Sequence, residues 1–337
     1  MNPSSFLQAF SGTNTVIPVW FMRQAGRYLP EYRKIKGGHS LEEMFLNPEL
    51  VAEITLLPVK KLGVDAAILF ADILSLPAKM GFKIRFVDAQ GPVIDTPIRN
   101  SRDLQTISEF TGMDDLAKAI HMTREGLPAG IALIGFAGSP FTVASYLLEG
   151  GSPTSFSRTW AFANAYPQAF HQLLQRLTDN TIRYLGLQKE AGIEAYQIFD
   201  TGSGVLRPSD YAHWSLPYVK KIFQSVKLPS IYYLKNASHL LKLMDQCGSD
   251  FLSVCQTVVF GHDPILAKNH HGVQGNLFNG LLYADRSKLK EEVLDCLLGA
   301  RPYRRYIFNL SHGVFPDVDP DALKLIVDLV HGFDRKK

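Results

Sequence analysis

Short apolar runs rich in β-branched or aromatic residues recur along this chain, with longer helical stretches between them. They cover 19–22, 66–70, 132–136, 195–199, 230–234, 251–255, 272–276 and 306–310, eight in all. Nearly every position in them is apolar, which suits parallel strands covered on both faces rather than strands with one wet face. The intervening segments carry helix punctuation. Asn47-Pro48-Glu49 precedes Leu50, Val51 and Ile54, and Gly63 stands at the far end, so cap, first-turn proline and terminal glycine fall in order. Asp319-Pro320 and Arg207-Pro208 repeat the start signal, and Gly192, Gly248 and Gly299 repeat the stop. Eight strands alternating with helices predict an α/β fold of the (β/α)8 TIM-barrel type. An open doubly wound sheet is the alternative, but no GxGxxG follows the first run and no GxxxxGK[ST] occurs anywhere.

No Pro/Gly/Ser-rich linker, charge block or low-complexity stretch divides the 337 residues, so a single domain over 1–337 is expected. One insertion breaks the alternation. Residues 83–87 and 93–96, around Asp88-Ala89-Gln90-Gly91-Pro92, predict a hairpin beside the barrel mouth. The start of the chain has neither the basic opening nor the apolar core of a signal peptide, and no segment approaches the roughly 18 uninterrupted apolar residues of a membrane span. A cytoplasmic protein is expected. Cys247, Cys255 and Cys296 lack CxxC or HxC spacing and read as free thiols rather than disulfide or metal ligands.

If the chain is a barrel, the residues just after each strand build its functional face. Arg23 and Arg27 follow the first run, four residues apart beside Gly26. Between Arg23 and Lys36 the chain carries Arg23, Arg27, Arg33, Lys34 and Lys36 against Glu31 alone, while the whole chain is only +3. Positive charge this local points to an acidic small molecule rather than nucleic acid. Arginine's planar fork matches carboxylates and stays charged, so the pair suits a polycarboxylate, with a surface ion pair as the plainer reading.

Asp72 follows the second run among apolar neighbours, where it could hold a concentrated negative charge or simply cap the next helix. Tyr146 could donate into a cavity or pack as a core aromatic. Thr201 opens the Gly-rich turn Asp200-Thr201-Gly202-Ser203-Gly204, which suits anion contact or an ordinary ST-turn. His312, before Gly313 after the eighth run, could bind an anion, move a proton or serve the structure alone. His270 and His271 lack acidic or thiol partners at close spacing and read as loop residues.

Taken together, these segments resemble the uroporphyrinogen decarboxylase family. The most specific piece is Pro18-Val19-Trp20-Phe21-Met22-Arg23-Gln24-Ala25-Gly26-Arg27-Tyr28-Leu29-Pro30-Glu31-Tyr32, supported by Asp65 to Leu74, Ile134 to Pro140, Tyr146 to Gly151 and Asn309 to Asp317. The resemblance implies a (β/α)8 barrel and a homodimer. It also implies cofactor-independent decarboxylation of the acetate side chains of uroporphyrinogen III to give coproporphyrinogen III, with neither metal nor organic cofactor. It assigns substrate binding to Arg23, Gln24, Ala25, Gly26, Arg27, Asp72, Tyr146, Thr201 and His312, with Asp72 and Arg23 as the catalytic pair.

The chain departs from the family pattern at Ala71, where serine is common, at Val254-Cys255-Gln256-Thr257 and at Phe278-Asn279. Losing acidic positions there is expected to relax loop packing or slow turnover. Competing readings are a porphyrinogen-binding paralogue without turnover, a zinc-dependent methyltransferase of the same superfamily, for which the His-x-Cys ligands are missing, and a phosphate-binding barrel enzyme.

Overall fold

The computed structural model describes residues 4–87 and 90–334. In chain order the strands are β1 (Ala66–Ile68), β2 (Ile84–Val87), β3 (Gly91–Ile94), β4 (Ala132–Gly138), β5 (Ala195–Asp200), β6 (Ser230–Leu234), β7 (Phe251–Ser253), β8 (Gly272–Leu277) and β9 (Tyr306–Leu310). Seven of them form one sheet in the order β1-β4-β5-β6-β7-β8-β9, every pair parallel. These strands are buried along almost their whole length, which is why their sequences read as unbroken apolar runs. Helix Pro48–Leu62 starts and stops where expected: the Asn47 side chain accepts from the Leu50 N–H, and Gly63 caps the end at φ 75°.

The first expected strand, 19–22, is the exception and corrects the eight-strand count. Only Val19 makes a sheet bridge, parallel to Phe308 in β9. Phe308 N–H donates to the Pro18 carbonyl (2.9 Å) and Trp20 N–H to the Phe308 carbonyl (3.4 Å). On the other side, Asp65, next to β1, donates its N–H to the Val19 carbonyl (2.8 Å) and accepts the Val19 N–H on Oδ2 (2.8 Å). The segment therefore lies between the two edges of the seven-stranded sheet and closes it into a barrel. Beyond Val19 the chain turns, and side chains replace the ladder. Asn309 Oδ1 accepts from Met22 N–H (3.2 Å), Gln24 Oε1 accepts from Phe21 N–H (3.0 Å), and Gln24 Nε2 donates to the Ala66 carbonyl (3.0 Å).

The expected hairpin is β2 with β3, although β3 begins at Gly91 rather than 93; Asp88 and Ala89 of its turn lie outside the described residues. It docks on the C-terminal end of helix Pro140–Glu149, through Ile94 N–H to the Gly150 carbonyl (3.0 Å) and a bridge from Val93 to Gly151. A Cβ on Gly151 would stand 2.8 Å from the Pro92 carbonyl oxygen, so only glycine permits this approach. Among the described residues no helix is long and apolar enough to cross a membrane.

Asp65 also accepts from Ser5 Oγ (3.0 Å) and from His331 Nε2 (2.8 Å). That bond raises the His331 pKa, so His331 stabilises the fold fully below its unfolded pKa and loses this contribution as pH rises through the folded one. Asp65→Ala strips the closing segment of its acceptor and should cost about 2–4 kcal/mol in urea unfolding. The deficit should be larger at pH 6 than at pH 8.5; an equal deficit at both would remove His331 from the account.

Candidate active site

A cleft of about 620 Å³ opens at the C-terminal ends of the strands, within the ordinary size of a small-molecule site. Its apolar walls come from strand ends and the hairpin: Ile68, Leu69, Phe70, Phe86, Phe136 and Phe199. Phe136 and Phe199 meet edge to face at 5.5 Å. In the sequence these phenylalanines look like any strand apolar residue; only the barrel geometry makes residues near the strand ends into a wall.

Arg23, Ala25, Gly26, Arg27, Asp72, Tyr146, Thr201 and His312 all line this one cleft. Gln24 does not. Its side chain is fully buried and spent on Phe21 and Ala66, so the expectation of ligand contact is corrected: Gln24 positions the arginines. The reason is the alternation of the turn, which sends Gln24 inward and its neighbours to the cleft. Arg33 is also diverted. It braces the loop from behind, donating from Nη1 to the carbonyls of Arg27 (2.9 Å) and Tyr28 (3.1 Å).

The Arg23 and Arg27 guanidiniums are exposed, and neither makes a hydrogen bond or ion pair to a described residue. The surface-pair reading is therefore set aside. Arg23 takes the left-handed backbone at φ 60°, and its side chain crosses Gly313 so closely that a Cβ there would lie 2.5 Å from Arg23 Cδ. Asp72 Oδ1 accepts from the Leu74 N–H (2.8 Å), forming a turn, while helix Ser75–Lys79 starts without a side-chain cap. Its second carboxylate oxygen makes no hydrogen bond among the described residues. Burial raises the Asp72 pKa, opposed by the Leu74 N–H and by the charge of Arg23.

The Tyr146 ring packs against the core while its hydroxyl reaches Ser152 in the cleft wall; burial, with Asp72 nearby, raises its pKa. The Thr201 hydroxyl makes no hydrogen bond within the described residues, so the ST-turn alternative falls away. His312 bonds through Nδ1 to the Tyr233 hydroxyl at 2.8 Å. Burial first, then the charges of Lys235 and Arg23, lower its pKa to about 4.

Sequence reading overlooked Asp200. It is fully buried at the end of β5, where Oδ1 accepts from Ser139 Oγ (2.6 Å), Thr142 Oγ1 (2.7 Å) and Ser203 N–H (3.3 Å). Oδ2 accepts from Ser215 Oγ (2.9 Å) and Tyr232 OH (2.7 Å). This carboxylate ties the ends of β4, β5 and β6 together and sets the turn that presents Thr201. The clue available was an aspartate opening a Gly/Ser turn opposite Ser139-Pro140.

Of the departures from the family pattern, Ala71 lines the cleft beside Asp72, whereas Val254 to Thr257 and Phe278-Asn279 sit outside its lining. Cys255 is buried and meets Thr257 Oγ1 at 3.0 Å. Asn279 is buried and donates from Nδ2 to the Gly313 carbonyl (3.0 Å), bracing the loop that Arg23 crosses. Among the described residues no group of three or more His, Cys, Asp or Glu side chains could hold a metal ion.

Fold and cleft define a barrel whose strand ends carry, among the described residues, two unpaired arginines and one half-buried carboxylate lining a single cleft. Residues 1–333 match the family model for uroporphyrinogen decarboxylase (URO-D). Curated uroporphyrinogen decarboxylases are similar along nearly the whole chain. The protein of Thermodesulfovibrio yellowstonii is 42% identical over 98% of this chain and 98% of its own, and that of Carboxydothermus hydrogenoformans is 39% identical over 97% and 95%. Among solved structures, a methyltransferase from Methanosarcina mazei superposes with a TM-score of 0.81 over 97% of both chains at 21% identity, a likeness of fold. The chain belongs to the uroporphyrinogen decarboxylase family.

The lowered His312 pKa makes the neutral ring the native form. Its contribution to stability is full above the unfolded value of 6.5 and is lost as pH falls towards about 4. It is worth no more than about 3 kcal/mol. The stability difference between the protein and His312→Gln should therefore grow from pH 4 to 6.5 and stay level above it; parallel profiles would refute the assignment.

Proposed function

We propose that the chain decarboxylates uroporphyrinogen III without a cofactor, converting its four acetate side chains to methyl groups and releasing coproporphyrinogen III. The observation that carries this reading is the pair of unpaired arginines opposite Asp72 in an apolar, aromatic cleft. It is supported by full-length similarity to curated uroporphyrinogen decarboxylases.

Loss of CO₂ from a pyrrole acetate leaves an electron pair that needs a sink. Protonating the ring carbon next to the acetate-bearing one turns the pyrrole into an iminium-like cation. The C–CO₂ bond then breaks and its electrons neutralise the cation, leaving an exocyclic methylene. A second proton on that methylene makes the methyl group, and loss of the first proton restores the pyrrole. Each cycle thus consumes one proton and releases one CO₂.

Asp72 has an unbonded oxygen in low-dielectric surroundings, where a fixed negative charge is worth most to a developing cation. It accepts the pyrrole N–H groups and stabilises that cation. Arg23 and Arg27 take substrate carboxylates, with Arg23 also placed to relay a proton beside Asp72. Ala25 and Gly26 keep the space between the guanidiniums open. Thr201, Tyr146 and His312 fix the remaining side chains and the macrocycle. The protein works as a cytoplasmic homodimer, which the family resemblance implies and the absence of paired cysteines accords with.

Anaerobic incubation with uroporphyrinogen III, oxidation, and separation of the porphyrins by carboxylate number should show species with seven to four carboxylates. Asp72→Asn should lower that conversion roughly 100-fold or more. The same change should raise the melting temperature of the ligand-free protein at pH 8, because the raised pKa means that the ionised carboxylate weakens the empty fold. Binding without conversion by the unaltered protein would instead identify a porphyrinogen-binding paralogue.

A further inference from the structure

Behind His312, outside the cleft lining, lies Tyr233 of β6, completely buried and parallel to the imidazole, with interplanar angle 6° and centroids 6.1 Å apart. Its hydroxyl contacts His312 Nδ1 at 2.8 Å and the Ser311 carbonyl at 3.2 Å. A phenol has one proton to give. Ser311 is buried, and among the described residues its carbonyl has no other donor. A carbonyl can only accept, and leaving it unpaired in the interior costs about 1–3 kcal/mol. The Tyr233 proton therefore goes to Ser311, and the Tyr233 oxygen accepts from His312 Nδ1–H.

We propose that Tyr233 is a positioning residue for the decarboxylation site: with the Ser311 carbonyl it holds the proton of neutral His312 on Nδ1, so that Nε2 presents a bare lone pair to the substrate. The ligand-side half of this inference rests on the decarboxylase reading above. In the neutral state Nε2 accepts from a donor such as a pyrrole N–H or a protonated carboxyl. When Nε2 takes up a proton, Nδ1–H keeps its bond to Tyr233 and the ring, unmoved, now donates to a carboxylate. A single atom facing the ligand thus changes from acceptor to donor without any rearrangement behind it.

The charged groups around the ring favour the bare form while the cleft is empty. Arg23 reaches it from the closing segment and Lys235 from the end of β6, both cationic, and no acidic group adds an opposing effect. Cys255, from the end of β7, acts on Tyr233 rather than on the imidazole. A polycarboxylate on Arg23 cancels part of this field and raises the His312 pKa from about 4 towards its ordinary 6.5, so binding draws a proton onto Nε2 in that range. Substrate affinity should then weaken as pH rises from about 4 to 6.5.

The first test needs no substrate. With ¹⁵N-histidine, the His312 signals of the ligand-free protein at pH 7.5 should show a protonated Nδ1 and a bare Nε2, and Tyr233→Phe should shift the population towards Nε2–H. Finding Nε2–H in the unaltered protein would overturn the proposal even if the variant did not fold. The second test is kinetic. Tyr233→Phe should raise KM for uroporphyrinogen roughly fivefold to tenfold, with kcat changed by about twofold at most, and should flatten the His312-linked part of the rise of KM between pH 4.5 and 6.5. A purely structural loss would leave that pH profile in place and would refute the positioning role. Should the NMR pattern hold while no porphyrinogen is consumed by the unaltered protein, the tautomer stands and the decarboxylase reading fails.

Discussion

The site depends on how the barrel is closed. A regular eighth strand would continue its ladder past Met22 and carry the chain straight out of the sheet. Here the sheet bridge ends at Val19, whose N–H the Asp65 side chain accepts, and Gln24 and Asn309 supply side-chain acceptors to Phe21 and Met22 beyond it. Each replaces a strand-to-strand bond with one that does not require extended geometry, so the main chain can bend sharply while its buried N–H groups remain satisfied. Arg23 leaves this bend at φ 60°, a backbone that costs a non-glycine residue about 1–2 kcal/mol. The bonds at Met22 and Gln24 on either side hold it there, aimed across Gly313 into the cleft.

Two aspartates, Asp72 and Asp200, show how one residue type takes opposite roles at neighbouring strand ends. Asp200 receives five hydrogen bonds and is sealed from solvent, the arrangement that makes a buried carboxylate tolerable and rigid. Asp72 receives a single bond to its side chain and keeps an oxygen unspent. A folding requirement alone would have satisfied or removed it. Stability is forgone at Asp72, whereas the network at Asp200 ties the neighbouring strand ends together.

Much of this was legible in the chain. Unbroken apolar runs announced parallel strands, the Asn47-Pro48 and Gly63 signals bounded a helix, and Arg23, Arg27, Asp72, Thr201 and His312, picked out at strand ends, line one cleft, while the residues after the fifth to seventh runs do not. What escaped has a physical cause. The first run had strand composition, yet its bonds are made by Asp65, 46 positions from Val19, by Asn309, 287 positions from Met22, and by the nearby Gln24. Local pattern cannot see such partners. Gln24 was grouped with its neighbours because adjacency in a motif does not say which way a turn points each side chain. Asp200 and Tyr233 were hidden because their importance lies in several weak partners converging from different strands.

Electrostatic preparation of the cleft follows from the same geometry. Two guanidiniums without counter-ions raise the local potential, and they do so beside a neutral histidine and a single carboxylate whose pKa is pushed up by burial. Where these charges face water they are screened within about 8–10 Å, and towards the aromatic floor of the cleft their reach is longer. An acidic ligand entering here meets a field already oriented and loses little to rearrangement. Cations and carboxylate thus reach one cleft from different strand ends, with Arg23 near enough for its charge to oppose the effect of burial on Asp72.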